Sequence, residues 1–142
     1  MIAYYGSLQS LHLLVLIRTG AIMLLEGRYP FPILPPPGGW ADQTLPFMLA
    51  LGITDLVGII LGLIFAYRAL FKKRFYRRLG VISLTIFFTG AIVFAIGTIF
   101  NGAWAAHPLS YISMVILFTP TPFLYAWLIR SNLKPKPPTQ PT

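Results

Sequence analysis

Residues 68–78, RALFKKRFYRR, decide the fold of this chain. The segment contains six of the eleven lysines and arginines, and it separates two long apolar runs, 45–67 and 79–104. Each run is long enough to cross a hydrocarbon layer of about 30 Å at about 1.5 Å per residue. A short, strongly basic loop between two spans stays cytoplasmic under the positive-inside rule. The segment therefore predicts the direction of both neighbouring spans and, by alternation, of every other span.

The composition of the 142 residues is that of a membrane protein. Hydrophobic residues make up 56% of the chain and charged residues only 10%, with a mean hydropathy of +0.75, whereas soluble domains carry about 25% charged residues. The net charge of +8 does not indicate a nucleic-acid partner, because the cations lie at span ends, where they face anionic lipid headgroups. The absence of cysteine excludes disulfides, thiolate metal sites and cysteine nucleophiles.

The apolar pattern predicts an all-α fold, a four-helix transmembrane bundle with both termini cytoplasmic. The predicted spans are 7–25, 45–67, 79–104 and 109–129. A proline-rich outer loop, 27–44, joins the first two spans, because its five prolines and three glycines forbid a regular helix. We expect residues 1–131 to form a single transmembrane domain and residues 132–142 a cytoplasmic tail rich in lysine and proline.

Small residues follow one side of the second and third spans. In the second span, Gly58 and Gly62 form a GxxxG pattern, which permits close helix packing. In the third span, Ser83, Gly90 and Gly97 form a stripe at intervals of seven residues, which predicts a tight packing seam. Both patterns indicate that these two spans contact other helices closely.

Ionisable side chains inside the first two spans predict an intramembrane ion pair. His12 and Glu26 lie on one face of the first span, and Arg18 borders that face. Counted from the outer ends of the spans, Arg18 and Asp55 lie roughly 12 and 15 Å deep. An unpaired charge at such depth costs at least about 2.5 kcal/mol, so we expect Arg18 to pair with Asp55. The pair either orients the two helices or forms the polar part of a ligand pocket or proton path.

Two further polar groups complete the candidate site. Asn101 lies near the outer end of the third span, either in a cavity or at the interface. Thr119 stands beside Pro120 and Pro122, whose missing N–H groups leave carbonyls to be satisfied by local hydroxyls or by a kink that opens a cavity. The candidate ligand-pocket residues are Glu26, Asp55, Asn101, Arg18 and Thr119. The sequence contains no motif of soluble catalysis, so no catalytic residue, metal site or cofactor is predicted.

The layout resembles the EXPERA family, which includes emopamil-binding sterol isomerases and sigma-2-receptor-like proteins. The resemblance is carried by Glu26 before a proline-containing loop, by Asp55 inside the second span, and by the prolines and basic end of the fourth span. It implies four membrane helices with both ends cytosolic and a pocket for a sterol-like or amphipathic ligand. The third span lacks the histidine expected of the isomerases, which favours binding over catalysis.

Three functions are compatible with the sequence. The leading hypothesis is a protein of the bacterial inner membrane or an ER-type membrane that binds a hydrophobic, sterol-like or lipid-like ligand within the bilayer. The rival is a small accessory subunit that packs against a larger membrane complex or a second copy of itself, supported by the GxxxG pattern and the 15% aromatic content. An isomerase would need Glu26 and Asp55 to converge on one cavity, one protonated and one ionised.

Overall fold

The computed structural model describes residues 1–26, 34–40, 44–72 and 75–132, and within these ranges it contains helices and no strand. The helices are α1 (Ile2–Glu26), α2 (Thr44–Leu70), α3 (Arg77–Phe100), α4 (Ala103–Ala106), α5 (Pro108–Phe118) and α6 (Pro120–Asn132). The prediction of an all-α fold is confirmed. Nearly all of the predicted tail, and residues 27–33 and 41–43 of the proline-rich loop, lie outside the described residues.

Among the described residues, four helical stretches are long and apolar enough to cross a membrane. They are Ile2–Glu26, Pro46–Leu70, Arg77–Phe100 and Pro108–Ser131, the last of which joins α5 and α6. At about 1.5 Å per residue, each stretch exceeds the roughly 30 Å of a hydrocarbon core. The structure is therefore compatible with an integral, multi-pass membrane protein. The side of the membrane on which the termini lie stays a prediction.

One end of the bundle, which we call the terminal end, brings together the start of α1, the end of α2, residues 75–76 before α3 and the end of α6. Arg77 at the start of α3 donates a hydrogen bond to the Ser131 carbonyl of α6 across 2.6 Å. The Phe75 ring lies 5.7 Å from the ring of Phe65 on α2 and 5.4 Å from that of Trp127 on α6. These contacts hold the start of α3 and the residues before it against α2 and α6.

The opposite end, which we call the far end, carries residues 34–40 and α4. His107 Nε2 lies 3.0 Å from the Pro35 carbonyl oxygen and donates to it. The Tyr111 hydroxyl donates to the Leu34 carbonyl across 3.2 Å. The start of the fourth span thereby holds the described part of the proline-rich loop against the bundle. The arrangement agrees with an up-and-down order of the four spans.

The hydrophobic core lies near the terminal end and includes every span. Its buried members are Tyr5 from α1, Phe65 from α2, Leu84 from α3, and Leu124 and Leu128 from α6. Tyr5 is fully buried, which explains why α1 begins at Ile2 rather than at the predicted residue 7. Burial of large apolar side chains against three other helices fixes the position of the fourth span.

The GxxxG pattern of α2 is a packing face, as predicted. A Cβ atom added to Gly58 would lie 2.9 Å from Ile86 Cγ2 on α3. A Cβ atom added to Gly62 would lie 2.8 Å from both the Ser83 Oγ of α3 and the Tyr5 hydroxyl of α1. Only glycine permits such an approach, so α2 lies between α1 and α3 and contacts both.

Thiol labelling tests the predicted orientation, because the natural chain has no cysteine. Ala105 is exposed at the far end and Lys72 is exposed at the terminal end. The positive-inside rule predicts that the basic terminal end is cytoplasmic, so a membrane-impermeant thiol reagent should label Ala105→Cys in intact cells. Lys72→Cys should react only after the membrane is permeabilised. The opposite labelling pattern would show that the bundle is inserted the other way round.

Candidate functional site

A row of polar side chains runs along the face of α1 that packs on α2 and α3. Tyr5, Gln9 and His12 occupy positions i, i+4 and i+7, which share one face of a helix. Tyr5 is fully buried and Gln9 is 1% exposed. The glycines of α2 let this face approach closely, so Tyr5 and Gln9 are enclosed by protein, whereas His12 is partly exposed.

The part of this row nearest the terminal end is fully hydrogen-bonded. The Ser83 hydroxyl of α3 donates to the Gly58 carbonyl of α2 across 2.7 Å. Since a serine hydroxyl has a single proton, the Tyr5 hydroxyl must be the donor in its 2.7 Å contact with Ser83 Oγ. This chain of two hydrogen bonds joins α1, α3 and α2 in turn. It is a structural link, because each polar group in it already has a partner.

Asp55 pairs with His12, and the predicted pair with Arg18 is wrong. His12 Nε2 lies 3.9 Å from Asp55 Oδ2, a distance that exceeds a direct hydrogen bond. Arg18 is exposed. Six residues separate it from His12, a rotation of about 600° that turns Arg18 about 120° away from the face of His12. The depth estimate also failed, because α1 and α2 are shifted so that Leu16 lies opposite Gly52.

The Asp55 carboxylate rests against α3. A Cβ atom added to Gly90 would lie only 2.6 Å from Asp55 Oδ1. The carboxylate therefore occupies the space that any other residue at position 90 would take. The stripe of Ser83, Gly90 and Gly97 is a packing seam, as predicted, since a Cβ atom on Gly97 would also lie 3.3 Å from the Phe47 ring.

We call the space between Gln9, His12 and Asp55 the polar crevice; Gly58, Ile59 and Phe87 complete its wall. Within the described part of the chain, neither polar atom of the Gln9 side chain has a hydrogen-bond partner, and His12 Nδ1 has none either. Each such group costs about 1–3 kcal/mol when buried without a partner. The crevice has no space wide enough for a water molecule.

An apolar groove of about 290 Å³ lies along the α1–α2 seam and opens onto the surface of the bundle. Its wall is apolar except for one threonine and comprises Leu13, Leu16, Ile17, Thr19, Gly20 and Met23 of α1 and Met48, Leu49, Gly52, Ile53 and Leu56 of α2. Leu16 and Gly52 stand one helical turn from His12 and Asp55 respectively, toward the far end. The groove and the polar crevice are therefore consecutive segments of one seam.

The other predicted site residues lie away from this seam. Glu26 is exposed at the end of α1, fourteen residues beyond His12, which is about 21 Å along the helix. Asn101 is exposed at the end of α3, where its Nδ2 donates to the Gly97 carbonyl across 2.8 Å. Of the five predicted residues, only Asp55 is partly buried, and Glu26 and Asp55 do not share a cavity.

The proline-containing break in the fourth span is satisfied locally. Thr119 is exposed, and its backbone N–H donates to the Ile116 carbonyl across 3.2 Å. The Thr121 hydroxyl donates to the Phe118 carbonyl across 2.7 Å. These are the two carbonyls that lose their usual partners to Pro120 and Pro122. The carbonyls are therefore satisfied by local groups rather than through a kink that opens a cavity. Thr119 lines neither the groove nor the polar crevice.

Sequence reasoning missed Tyr5 and Gln9, the two most buried polar side chains of α1. The signal was present, because Tyr5 lies seven residues before His12 and continues its stripe. This signal was not used, because the first span was predicted to begin at residue 7 and so left out Tyr5. Among the described residues, no group of three His, Cys, Asp or Glu side chains could hold a metal ion.

No known protein family, curated protein or solved structure matches the chain. Its function is therefore inferred from the geometry of its own residues.

Proposed function

We propose that the protein is an integral membrane protein that binds a hydrophobic ligand, sterol-like or lipid-like, in the α1–α2 groove. The observation that carries this proposal is the groove itself, an apolar space of about 290 Å³ within the predicted spans. Its volume is close to the lower limit of small-molecule pockets, about 300 Å³. An acyl chain or part of a sterol skeleton has the shape and polarity for such a space.

The neighbouring Asp55 supports a ligand with a polar end. A carboxylate inside a membrane span is costly, and such residues commonly mark functional sites. Asp55 lies one helical turn from the groove residue Gly52. A ligand whose apolar body fills the groove would bring its polar end to His12 and Asp55. The resemblance to the EXPERA family agrees with a ligand of this kind, and membership of that family is part of the proposal.

Binding is favoured over the two alternatives. Isomerase chemistry by Glu26 and Asp55 lacks support, because Glu26 is exposed at the end of α1. The GxxxG pattern does not support the accessory-subunit hypothesis, because Gly58 and Gly62 pack against α3 and α1 within the chain itself. The exposed apolar side chains of all four spans suit lipid as well as they suit a partner subunit.

Native mass spectrometry of the full chain released from its own membrane tests the proposal. We expect a bound small molecule of lipid-like mass that stays after exchange into fresh detergent, because the groove encloses it more than bulk lipid does. A stoichiometric second protein without a retained lipid would instead support the accessory-subunit hypothesis. Release of the bare chain alone would contradict ligand binding in the groove.

A further inference from the structure

The polar crevice sets a chemical requirement on whatever occupies it. Gln9 is 1% exposed, and both its amide oxygen and its amide nitrogen lack partners among the described residues. The oxygen needs a donor and the nitrogen needs an acceptor. His12 Nδ1, on the same helix face, also lacks a partner. A polar group that satisfies this crevice must therefore both donate and accept hydrogen bonds.

The separation of His12 from Asp55 leads to the same requirement. Their nearest polar atoms lie 3.9 Å apart, too far for a direct hydrogen bond and close enough for one bridging oxygen atom. A bridging oxygen would accept from the imidazole and donate to the carboxylate. An ammonium group could only donate, and it would leave the Gln9 nitrogen without an acceptor. A phosphate or carboxylate headgroup would be repelled by Asp55 and could not donate to it.

We propose that the polar end of the ligand is a hydroxyl group that enters the polar crevice between Gln9, His12 and Asp55 while its hydrocarbon part fills the groove. This inference rests on the proposed function and specifies the class of ligand as a long-chain or polycyclic alcohol. The path from groove to crevice is short, because Leu16 and Gly52 stand one turn from His12 and Asp55.

In this structure the crevice is closed and has no room for a water molecule. Within the described chain neither polar atom of the Gln9 side chain makes a hydrogen bond of ordinary geometry, so only a weaker contact with the Tyr5 hydroxyl opposes rotation about its side-chain bonds. Rotation of Gln9 makes room for the hydroxyl oxygen and brings the amide into hydrogen-bonding range of it. The ligand hydroxyl oxygen then accepts hydrogen bonds from His12 and from the Gln9 amide nitrogen, and it donates its one proton to Asp55.

Three probes with the same chain length test the proposed headgroup: dodecanol, dodecylamine and dodecanoate. Each is added to the full-length protein in phosphatidylcholine nanodiscs, and binding is measured from the shift of the thermal unfolding midpoint. We expect dodecanol to bind most tightly. Gln9→Met should weaken dodecanol binding about 10-fold, because it removes the hydrogen bond from the Gln9 amide nitrogen to the hydroxyl oxygen, and should leave the binding of the other two probes nearly unchanged.

Stability without a probe gives an independent readout. Gln9→Met keeps the length of the side chain and removes two buried polar atoms without partners, so the unfolding midpoint of the probe-free protein should rise. The matched control is Ser10→Ala, since Ser10 is exposed and its hydroxyl bonds locally to the Gly6 carbonyl. Ser10→Ala should change neither the probe-free midpoint nor the preference for dodecanol.

The outcomes separate this inference from the proposed function. Equal binding of all three probes, or tightest binding of dodecylamine with no effect of Gln9→Met, would overturn the hydroxyl headgroup and leave a hydrophobic ligand in the groove. A lower probe-free midpoint for Gln9→Met would also overturn it, by showing that the amide is already satisfied. Failure of every probe to bind would count against the groove itself.

Discussion

Gly62→Leu is expected to destabilise the bundle more than any other single change considered for this chain. A Cβ atom at position 62 would lie 2.8 Å from both the Ser83 Oγ and the Tyr5 hydroxyl. Those two groups are hydrogen-bonded to each other across 2.7 Å, so neither can move without breaking that link. The remaining leucine atoms would then separate α2 from both α1 and α3. We expect a loss of about 3 kcal/mol or more, measured by thermal unfolding in detergent.

The matched control for this change is Ile60→Leu. Ile60 lies between the two glycines of the GxxxG pattern, but its side chain is exposed. Substitution there conserves volume on the surface of the bundle and should leave the unfolding midpoint nearly unchanged. Small, similar effects of the two changes would mean that α2 does not pack through Gly62.

Gly90→Ala is expected to have the second-largest effect, and to lose that effect when Asp55 is also replaced. The added methyl group would lie 2.6 Å from Asp55 Oδ1, forcing the carboxylate away from α3 at a cost of about 1–3 kcal/mol. In an Asp55→Ala background the carboxylate is absent, so Gly90→Ala should be nearly neutral. Thermal unfolding of the two single variants and the double variant measures this coupling.

Gly20→Ala serves as the control for that comparison. An added Cβ atom at Gly20 has nothing within 4 Å, so the substitution should be neutral or slightly stabilising through helix propensity alone. If Gly90→Ala and Asp55→Ala were strictly additive, the Asp55 side chain would not rest on Gly90 and the described position of the polar crevice would be wrong.

Hydropathy and small-residue patterns were sufficient to predict the helices and the GxxxG contact. Both depend on local sequence: twenty or so apolar residues are needed for a span, and only glycine permits backbone approach. Prediction failed where two helices had to be placed relative to each other. The pairing of Asp55 with His12 rather than Arg18 depends on the axial shift and rotation of α1 against α2, which counting from the span ends does not give.

The groove also could not be predicted from the sequence. Its residues are the ordinary Leu, Ile, Met and Gly of membrane helices, and nothing in their order separates a groove from a packed interface. The space exists because Gly20 and Gly52 stand where larger side chains would fill the seam. The burial of the Gln9 amide could not be predicted either. A single glutamine near the N-terminus gives no sign of being buried until α2 and α3 are in place.

The most direct measurement of ligand binding in the groove is native mass spectrometry of Gly52→Leu beside Ala50→Leu. The nearest atom to a Cβ atom on Gly52 is Leu16 Cδ2 at 3.9 Å, so the new side chain should fit without a clash and fill the groove. Ala50 is exposed on the same helix and does not line the groove. We expect both variants to fold, Ala50→Leu to retain the lipid-like ligand and Gly52→Leu to lose it. Equal retention of that ligand by the two variants would contradict the assignment of the groove as the binding site.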